Sequence, residues 1–415
     1  MKRVTIIGSG IIGLCSAHFA QQKGFDVHVV DENPEGSDSC STGNAGMIVP
    51  SHFVPLAAPG MVGMGLKMMM NARSPFAFKM PPTVDQLAWS MTFMKKANAQ
   101  HVKDSEIILR DMNLLSRKLY EGLTEELGIG FQLIKRGLVM LCQKAETLEA
   151  EKHLAERANE LGVGATVLDL PGLKALDPTI TMDVAGGVHF HDDCHLTPQL
   201  FLAALRESLK ARGVQFSFGT TVSDIKTVGG KVEVTTNNGK VESDQVVIAG
   251  GVYSKSLAKM LGLKLPMMAG KGYSMTLPNP VETPQLCSIL VEARVAVTPM
   301  QNGLRFGGTM ELGEPSNSIN QERVKGIIDS IPQFFPKFKS SDFENRPVWH
   351  GLRPCSPDGL PYVGRIKSAP NVIVASGHSM MGLSLGPVTG MLVSETLGNQ
   401  PTSLPIDQLD PNRYV

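Results

Sequence analysis

The sequence predicts an α/β fold: a doubly wound, mostly parallel sheet interrupted by a second α+β domain with an antiparallel sheet. Three observations predict it. A strand, a glycine-rich turn, a helix and a strand open the chain, and a strand, a glycine-rich loop and a helix close it. Between them, residues 265–310 alternate apolar and polar positions with the period of strands. We assign residues 1–50, 185–262 and 345–415 to the first domain and residues 51–184 and 263–344 to the inserted domain.

The opening segment has the features of a dinucleotide site. A buried strand at 4–7 runs into Gly8-Ser9-Gly10-Ile11-Ile12-Gly13, and a second strand at 27–30 ends on Asp31. Gly8 permits the tight turn, Gly10 lets the backbone approach a pyrophosphate, and Gly13 lets the helix pack on the strand. The helix N-terminus offers N–H groups to phosphates, and Asp31 is placed to accept hydrogen bonds from a ribose. The alternative is a glycine turn without a ligand.

The acid at position 31 argues against NADP but does not separate FAD from NAD. A second signal lies at 222–250, where Asn237-Asn238-Gly239 joins the last two strands of a three-stranded meander. A buried strand at 246–249 then ends in small residues, Ala249-Gly250-Gly251. NAD dehydrogenases seldom place a meander there, so this segment favours FAD.

Composition limits the partners. The 415 residues carry no net charge and no long basic run, which argues against nucleic acid. The six cysteines are scattered, as expected of reduced thiols in a cytosolic protein. No apolar run is long enough to span a bilayer, and the glycines in the first apolar run argue against a signal peptide. We expect a cytoplasmic protein, with peripheral contact at the inner face of the cytoplasmic membrane left open.

Residues 50–100 are rich in proline and methionine. The favoured interpretation of the methionine cluster is a core-facing helix in a lid, and the alternative is a surface that contacts a membrane or a partner subunit. The cluster comprises Met61, Met64, Met68, Met69 and Met70.

Helical periodicity follows at 105–127, with Gly128 as its stop, and again at 146–161, with a strand at 137–141 between them. Thr197 is predicted to cap a helix that begins with Pro198. The run from His189 to His195 holds three histidines, two acids and a cysteine. A strand and a turn explain it better than a metal cluster, so no metal site is predicted.

The final third contains the second glycine-rich junction. A strand at 371–375 runs into Ser376-Gly377-His378-Ser379-Met380-Met381-Gly382-Leu383-Ser384, and a helix follows from Pro387. The N–H groups and dipole of this junction suit the flavin end of FAD. Upstream, Arg353 lies in a segment rich in glycine and proline, where its guanidinium could grip a carboxylate through two parallel N–H bonds. The alternative for Arg353 is a structural ion pair.

Five motifs in this order resemble those of the D-amino acid oxidase superfamily of FAD enzymes, and within it the bacterial D-amino acid dehydrogenases of the small-subunit type. The motifs are GSGIIG, STGNAGMI, KGYSM, GLRPCSPDGLPYVG and SGHSMMGLSLG. The resemblance covers nearly the whole chain and implies a glutathione-reductase-like FAD-binding domain. Glycine oxidases of the superfamily carry an arginine where this chain has Met380. No cysteine matches those that attach flavin covalently in the superfamily, so non-covalent FAD is expected.

The resemblance also implies the site. Arg353 binds the substrate carboxylate, with Tyr273 assisting it from the sheet. The cofactor-binding residues that it implies are Gly8, Gly10, Ile11, Ile12, Gly13, Asp31, Glu32, Ser41, Thr42, Asn44, Ala45, Gly46, Met47, Val222, Ala249, Gly250, Gly377, His378, Met380, Met381, Gly382, Leu383 and Ser384.

The implied activity is oxidative deamination of a D-amino acid, with D-proline and hydroxy-D-proline as equal candidates. Hydride moves from Cα to flavin N5, and water hydrolyses the imine to a 2-oxo acid and ammonia. The electrons pass to a quinone or a carrier protein. Two alternatives stay open: an oxidase that uses O2 on D-amino acids or secondary amines, and a flavoprotein subunit without a substrate of its own.

Overall fold

The computed structural model describes residues 1–69, 71–128 and 132–415. Met70 of the methionine cluster therefore lies outside the described residues. The helices in the described ranges are α1 (Ile11–Gln22), α2 (Met61–Met69), α3 (Val84–Lys96), α4 (Ala99–Leu127), α5 (Ala145–Glu160), α6 (Leu170–Leu176), α7 (Pro198–Ala211), α8 (Ser254–Met260), α9 (Gln321–Phe334) and α10 (Gly386–Leu397). The strands are β1 (Arg3–Ile7), β2 (Asp26–Val30), β3 (Met47–Ile48), β4 (Phe76–Phe78), β5 (Leu138–Cys142), β6 (Ala165–Leu168), β7 (Gly186–Phe190), β8 (Cys194–His195), β9 (Gln215–Ser217), β10 (Val222–Val228), β11 (Lys231–Thr236), β12 (Gly239–Ser243), β13 (Gln245–Ile248), β14 (Met268–Leu277), β15 (Cys287–Leu290), β16 (Val295–Met300), β17 (Gly303–Gly313), β18 (Trp349–Cys355), β19 (Tyr362–Ile366) and β20 (Ala369–Ser376).

A six-stranded sheet in the order β19-β20-β13-β1-β2-β9 forms the first layer. Its strands are parallel except β19, which pairs antiparallel with β20. Its central strands are apolar because both faces are covered, as parallel sheets require. Helices α1 and α10 pack together on one face, where a Cβ at Gly390 would lie 2.5 Å from the Cys15 backbone. The glycine therefore permits the close approach of the two helices. This confirms the doubly wound fold predicted from the sequence.

The predicted meander is also present. Strands β10, β11 and β12 form a separate antiparallel sheet, and Thr236 pairs with Gly239 across the two-residue turn Asn237-Asn238. Gly239 has a φ of +113°, which explains why glycine ends this turn.

A larger, nine-stranded sheet forms the second layer, with β18-β14-β17-β16-β15-β5-β7-β6 in order and β4 beside β17. It is mainly antiparallel, with parallel pairs β15–β5 and β17–β4. Strands β7 and β18 belong to this sheet, although the sequence placed their segments in the first domain. Arg353 on β18 is thus presented by the larger sheet, facing the parallel one. The division into two domains stays a prediction.

The helix predicted at 105–127 exists and begins earlier, as α4, where the Asn98 side chain accepts a hydrogen bond from the His101 N–H. It ends at Gly128, which has a φ of +82°. The predicted N-cap position of Thr197 and the start of α7 at Pro198 are confirmed, but the Thr197 side chain makes no capping hydrogen bond. Its hydroxyl accepts a hydrogen bond from the Gln301 N–H instead.

The segment that precedes α4 differs from its favoured interpretation. Helix α2 forms, but it turns Met64 and Leu66 outward instead of burying the whole cluster. Helix α3 follows, anchored by a capping box between Thr83 and Gln86. Among the described residues, no helix has the length and apolarity needed to cross a bilayer.

Candidate active site

A cavity of about 1660 Å³ lies between the two large sheets, at the carboxyl ends of the parallel strands. Small-molecule pockets usually span about 300–1,000 Å³, so this one has room for a large ligand and a second small molecule. All but three of the site residues predicted from the sequence line it. The exceptions are Gly13, Gly46 and Gly377, which do not line the cavity themselves. The structure therefore brings the dispersed motifs together in one place.

The glycine turn after β1 shapes one end of the cavity. Gly8 has a φ of +111°, and a Cβ there would lie 2.5 Å from the Ala249 carbonyl oxygen. A Cβ at Gly13 would overlap the Gly8 carbonyl oxygen, so α1 reaches the turn only because residue 13 is glycine. Gly10 faces the cavity next to the N-terminus of α1, where the Ser41 hydroxyl accepts a hydrogen bond from the Ile11 N–H at 3.1 Å. This end offers backbone N–H groups and a hydroxyl to an anion.

Asp31 braces the same turn. Its Oδ2 accepts hydrogen bonds from the Ser9 N–H at 2.6 Å and the Ser9 hydroxyl at 2.7 Å, and its Oδ1 accepts one from the Asn33 N–H. The carboxylate also lines the cavity beside Glu32. The ribose contact predicted for Asp31 stays a prediction, and the bracing of the turn was not anticipated.

The segment from Ser41 to Met47 is held by a residue that sequence reasoning missed. The Arg305 guanidinium donates hydrogen bonds to the carbonyl oxygens of Thr42, at 3.1 Å, and Asn44, at 2.7 Å. Burial lowers the pKa of Arg305 to about 10, which leaves it charged at neutral pH. Nearby, the indole of Trp349 occupies the space that a side chain at position 43 would need. No local pattern around Arg305 indicates this contact.

The second glycine-rich loop joins β20 to α10, as predicted. Gly377, with a φ of +79°, packs on the Tyr362 ring. The Tyr120 hydroxyl donates to the Leu383 carbonyl at 2.6 Å, and the Ser116 hydroxyl donates to the Ser384 carbonyl at 2.5 Å. Because the C=O and the following N–H of a trans peptide point in opposite directions, the bond from Tyr120 to the Leu383 carbonyl turns the Ser384 N–H away from α4. Sequence reasoning missed this contribution of α4.

Arg353 projects from β18 into the other end of the cavity. Its Nη1 donates to the Thr309 carbonyl at 2.6 Å, and burial lowers its pKa. No carboxylate in the described part of the chain forms an ion pair with it, and its surface remains partly open to the cavity. The guanidinium also fills the space beside Gly272, where any Cβ would overlap it. A half-buried cation without a protein anion beside it is arranged for an anionic ligand.

Thr309 supports that interpretation. It has a φ of +68°, an outlier for a β-branched residue, at the point where the pairing of β14 with β17 shifts register. Its buried hydroxyl has no hydrogen-bond partner in the described residues. Such strain and unpaired polar atoms cluster at ligand sites, and here both lie beside Arg353.

Tyr273 also lines the cavity, but its hydroxyl is engaged elsewhere. It donates to Glu311 Oε1 at 2.8 Å and accepts from the Asn320 N–H at 3.0 Å. Burial raises the pKa of Tyr273, so the phenol stays neutral. Its predicted assistance to the substrate carboxylate stays a prediction.

Comparison with known proteins agrees with this geometry. The family model described as "DAO: FAD dependent oxidoreductase" matches residues 3–396. The chain belongs to this family. Among solved structures it resembles glycine oxidase from Geobacillus kaustophilus, with 22% identity, complete coverage of both chains and a TM-score of 0.79. L-proline dehydrogenase from P. horikoshii is similar at 19% identity and a TM-score of 0.72, covering 100% of this chain and 97% of that one.

A further DAO-fold structure, reduced L-alpha-glycerophosphate oxidase from Mycoplasma pneumoniae with FAD bound, is 18% identical with a TM-score of 0.72 and covers 98% of this chain and 97% of that one. These likenesses establish the fold, and the family model establishes an FAD-dependent oxidoreductase. The sequence prediction of FAD is thereby confirmed.

The residues of this DAO-family enzyme fit FAD. The glycine turn leaves a cradle that a Cβ at position 8 would close, and the loop at 382–384 lies at the second strand–helix junction, on the wall of the same cavity. No cluster of three or more metal-ligating side chains occurs in the described ranges. Of the two histidines predicted to share a strand, His189 lies on β7, whereas His191 lies in the turn after it. Their rings lie 4.9 Å apart.

One further polar chain reaches the cavity of the enzyme. His52 lines the wall, and its Nδ1 shares a hydrogen bond with the Ser51 hydroxyl, which in turn donates to Asp193 Oδ2 at 2.5 Å. Burial lowers the pKa of His52 to about 4 and raises the pKa of Asp193 to about 7. The imidazole is therefore neutral at physiological pH, and Asp193 titrates there. Sequence reasoning singled out neither His52 nor Ser51.

Proposed function

We propose that this enzyme oxidises small amino acids of D configuration at the Cα–N bond, with D-proline and hydroxy-D-proline among the candidate substrates. The substrate loses a hydride from Cα and a proton from nitrogen, and the resulting imine is released or hydrolysed to a 2-oxo acid and ammonia. When bound, FAD supplies the two-electron acceptor for the hydride. The electrons then pass to a quinone or another acceptor that is not O2.

The single observation that carries the proposal is the unpaired guanidinium of Arg353. It is half-buried, and within the described residues it donates a hydrogen bond to one protein acceptor, the Thr309 carbonyl. A guanidinium binds a carboxylate through two parallel N–H bonds, which fixes the orientation of the ligand as well as its position. An α-amino acid held in this way presents its amine and its α-hydrogen on a defined side. Of the substrate classes that the fold could serve, amino acids carry that carboxylate.

The charges on the cavity wall favour the reactive form of the amine. Arg353 and Arg305 contribute positive charge, and burial keeps His52 and His378 neutral by lowering the pKa of each, to about 4 and about 3. A guanidinium next to the bound substrate disfavours the ammonium form of its amine and so favours loss of the proton. Hydride can leave Cα readily only once the nitrogen is neutral. No strong base on the wall is required if the environment itself lowers the pKa of the amine.

We infer that FAD lies along the cavity with its ends at the two strand–helix junctions. Gly8, Gly10 and Ser41 would hold the pyrophosphate at the start of α1. The loop around Leu383 and Ser384 would face the flavin, positioned by α4. No cysteine is placed for covalent attachment by resemblance to the family, so the FAD would be released when the protein is denatured.

The test is anaerobic reduction of the yellow holoenzyme by a panel of D- and L-amino acids, followed as loss of flavin absorbance. We expect D-amino acids, including D-proline or hydroxy-D-proline, to bleach the protein, and their L-enantiomers to react at least ten times more slowly. Equal reaction with L-enantiomers would refute the D specificity. Bleaching by none of the amino acids would refute amino acid oxidation. Peroxide formed in air at the rate of substrate oxidation would identify an oxidase instead of a dehydrogenase.

A further inference from the structure

Exposed apolar side chains are concentrated in one region of the surface. Within the described residues, seven of the seventeen exposed large hydrophobic side chains belong to residues 64–94. We call this set the apolar face: Met64, Leu66, Met80, Val84, Leu87, Met91 and Met94. Val84 is 82% exposed, Met91 67% and Leu66 63%. Exposed apolar side chains clustered in one segment indicate a contact site, whereas single exposed hydrophobic residues do not.

Helix α3 presents four of these residues on one side. They recur at intervals of three and four, which places them on a single helix face: Val84, Leu87, Met91 and Met94. The opposite side is fixed to the protein, because Trp89 is buried and its Nε1–H donates to the Cys355 carbonyl at 2.9 Å. Trp89 also stacks on Phe93, with ring centroids 5.2 Å apart. The helix is therefore anchored with its apolar side outward.

The apolar face adjoins the cavity. Met64, Leu66 and Met94 belong to the apolar face and also line the cavity, as does the half-buried Phe93. The exposed surface and the cavity wall thus share side chains. An apolar molecule bound on this face would be next to the cavity.

The surroundings of the apolar face are basic. Residues 61–96 contain five basic side chains and one acid, Asp85, which pairs with Lys255 at 2.7 Å. Lys259 and Lys264 lie near enough to lower the pKa of Asp85 further. Glu314, which accepts hydrogen bonds from Thr83 and Gln86, is the acid beside the start of α3.

Most of the basic side chains are free to bind an external anion. Arg73 is paired with Glu322 and Asp329. Within the described residues no ion pair involves the remaining four, which are Lys67, Lys79, Lys95 and Lys96. Apolar side chains bordered by unpaired lysines match the chemistry of a bilayer that carries anionic headgroups.

We propose that the apolar face docks the enzyme onto an anionic lipid bilayer. The apolar side chains enter the boundary between headgroups and acyl chains, and the lysines around them contact lipid phosphates. Docking places the cavity beside the membrane, where a lipid-soluble quinone is dissolved. The membrane contact stands on the surface alone, and only its link to a quinone rests on the proposed function.

The experiment is sedimentation of the purified holoenzyme with vesicles of phosphatidylcholine, alone or with about one-third phosphatidylglycerol. The test variant is Leu87→Glu with Met91→Glu, because neither residue lines the cavity. The matched control is Val281→Glu, an exposed hydrophobic residue (59%) away from the apolar face. A third variant, Lys95→Glu with Lys67→Glu, tests the charge contribution. Oxidation with a water-soluble acceptor is measured in parallel to show that each protein is folded and carries FAD.

We expect the wild type and Val281→Glu to bind the anionic vesicles, and the Leu87→Glu/Met91→Glu variant to bind at least ten times more weakly with unchanged oxidation of substrate. The lysine variant should lose the preference for phosphatidylglycerol, as should the wild type at high salt. Wild type that stays in solution with both vesicles would overturn the proposal. So would a wild-type dimer that the Leu87→Glu/Met91→Glu variant dissociates, since the occupant would then be a second copy. Failure of substrate oxidation with vesicle binding intact would count against the proposed function only.

Discussion

Replacing Arg353 with leucine removes the one group that we assign to the substrate carboxylate. In the structure the guanidinium donates one hydrogen bond to the Thr309 carbonyl and leaves its other donors available to a ligand. Loss of one partner of a buried, charged pair costs about 2–5 kcal/mol. We therefore expect the transition state to lose ~3 kcal/mol of stabilisation, which lowers kcat/KM roughly a hundredfold or more. Leaving the Thr309 carbonyl unpaired should also lower the free energy of unfolding by about 1–3 kcal/mol.

The assay for this variant is anaerobic stopped-flow reduction of the flavin at several substrate concentrations, with FAD content measured from visible absorbance. Arg353→Lys keeps the charge but loses the paired N–H geometry, so its kcat/KM should fall between wild type and leucine. The matched control is Arg365→Leu, which removes a guanidinium that bonds the Pro370 and Thr396 carbonyls away from the cavity. Its kcat/KM should match the wild type. An Arg353→Leu enzyme with wild-type kcat/KM would refute the assignment, and one that no longer binds FAD would show that Arg353 supports the cofactor site instead.

Three other perturbations have defined outcomes. Gly13→Ala should abolish FAD binding and give a colourless protein, because the new Cβ would overlap the Gly8 carbonyl oxygen. The control is Gly122→Ala on α4, where the Cβ meets no atom, and it should raise the free energy of unfolding by up to about 1 kcal/mol. A yellow Gly13→Ala protein would contradict this. Arg305→Met should weaken FAD affinity more than it changes the flavin reduction rate, because the carbonyls at 42 and 44 lose their donor; unchanged affinity by fluorescence titration would argue against that role. Asp193 has a pKa raised from 3.8 to about 7, so it binds its proton more tightly folded than unfolded, and its contribution to stability is lost as pH rises between those values. Asp193→Asn cannot ionise, so it should avoid up to ~4 kcal/mol of that loss, and the melting temperature of the variant relative to wild type should rise from about pH 4 to pH 7. If the melting temperatures of the two proteins changed with pH in parallel, the buried titration of Asp193 would be refuted.

Local patterns in the sequence predicted the local parts of the site. The turn at Gly8, the stop at Gly128 and the strand–loop–helix that follows residue 371 depend on neighbours a few positions away, and each formed where expected. Glycine positions, apolar periodicity and charge predict local structure at that range.

The missed parts depend on contacts between distant residues. Arg305 meets Asn44 across 261 positions, and Tyr120 meets Leu383 across 263. Nothing in the sequence immediately around Arg305 or Tyr120 distinguishes either residue from an ordinary core residue. Thr197 shows the converse. Its local pattern is that of a helix cap, but its hydroxyl accepts a hydrogen bond from the Gln301 N–H, which packing brings close. The position of β18 in the larger sheet also depends on a distant contact, because it is set by pairing with β14.

The most direct test of the central claim is equilibrium binding of a carboxylate that cannot be oxidised, such as benzoate, compared with its uncharged amide. Binding is read from the shift in the flavin spectrum of the yellow enzyme. We expect the carboxylate to shift the spectrum and the amide to bind at least ten times more weakly, and we expect Arg353→Leu to bind both equally poorly. Equal affinity for carboxylate and amide in the wild type, or undiminished carboxylate binding in Arg353→Leu, would contradict it.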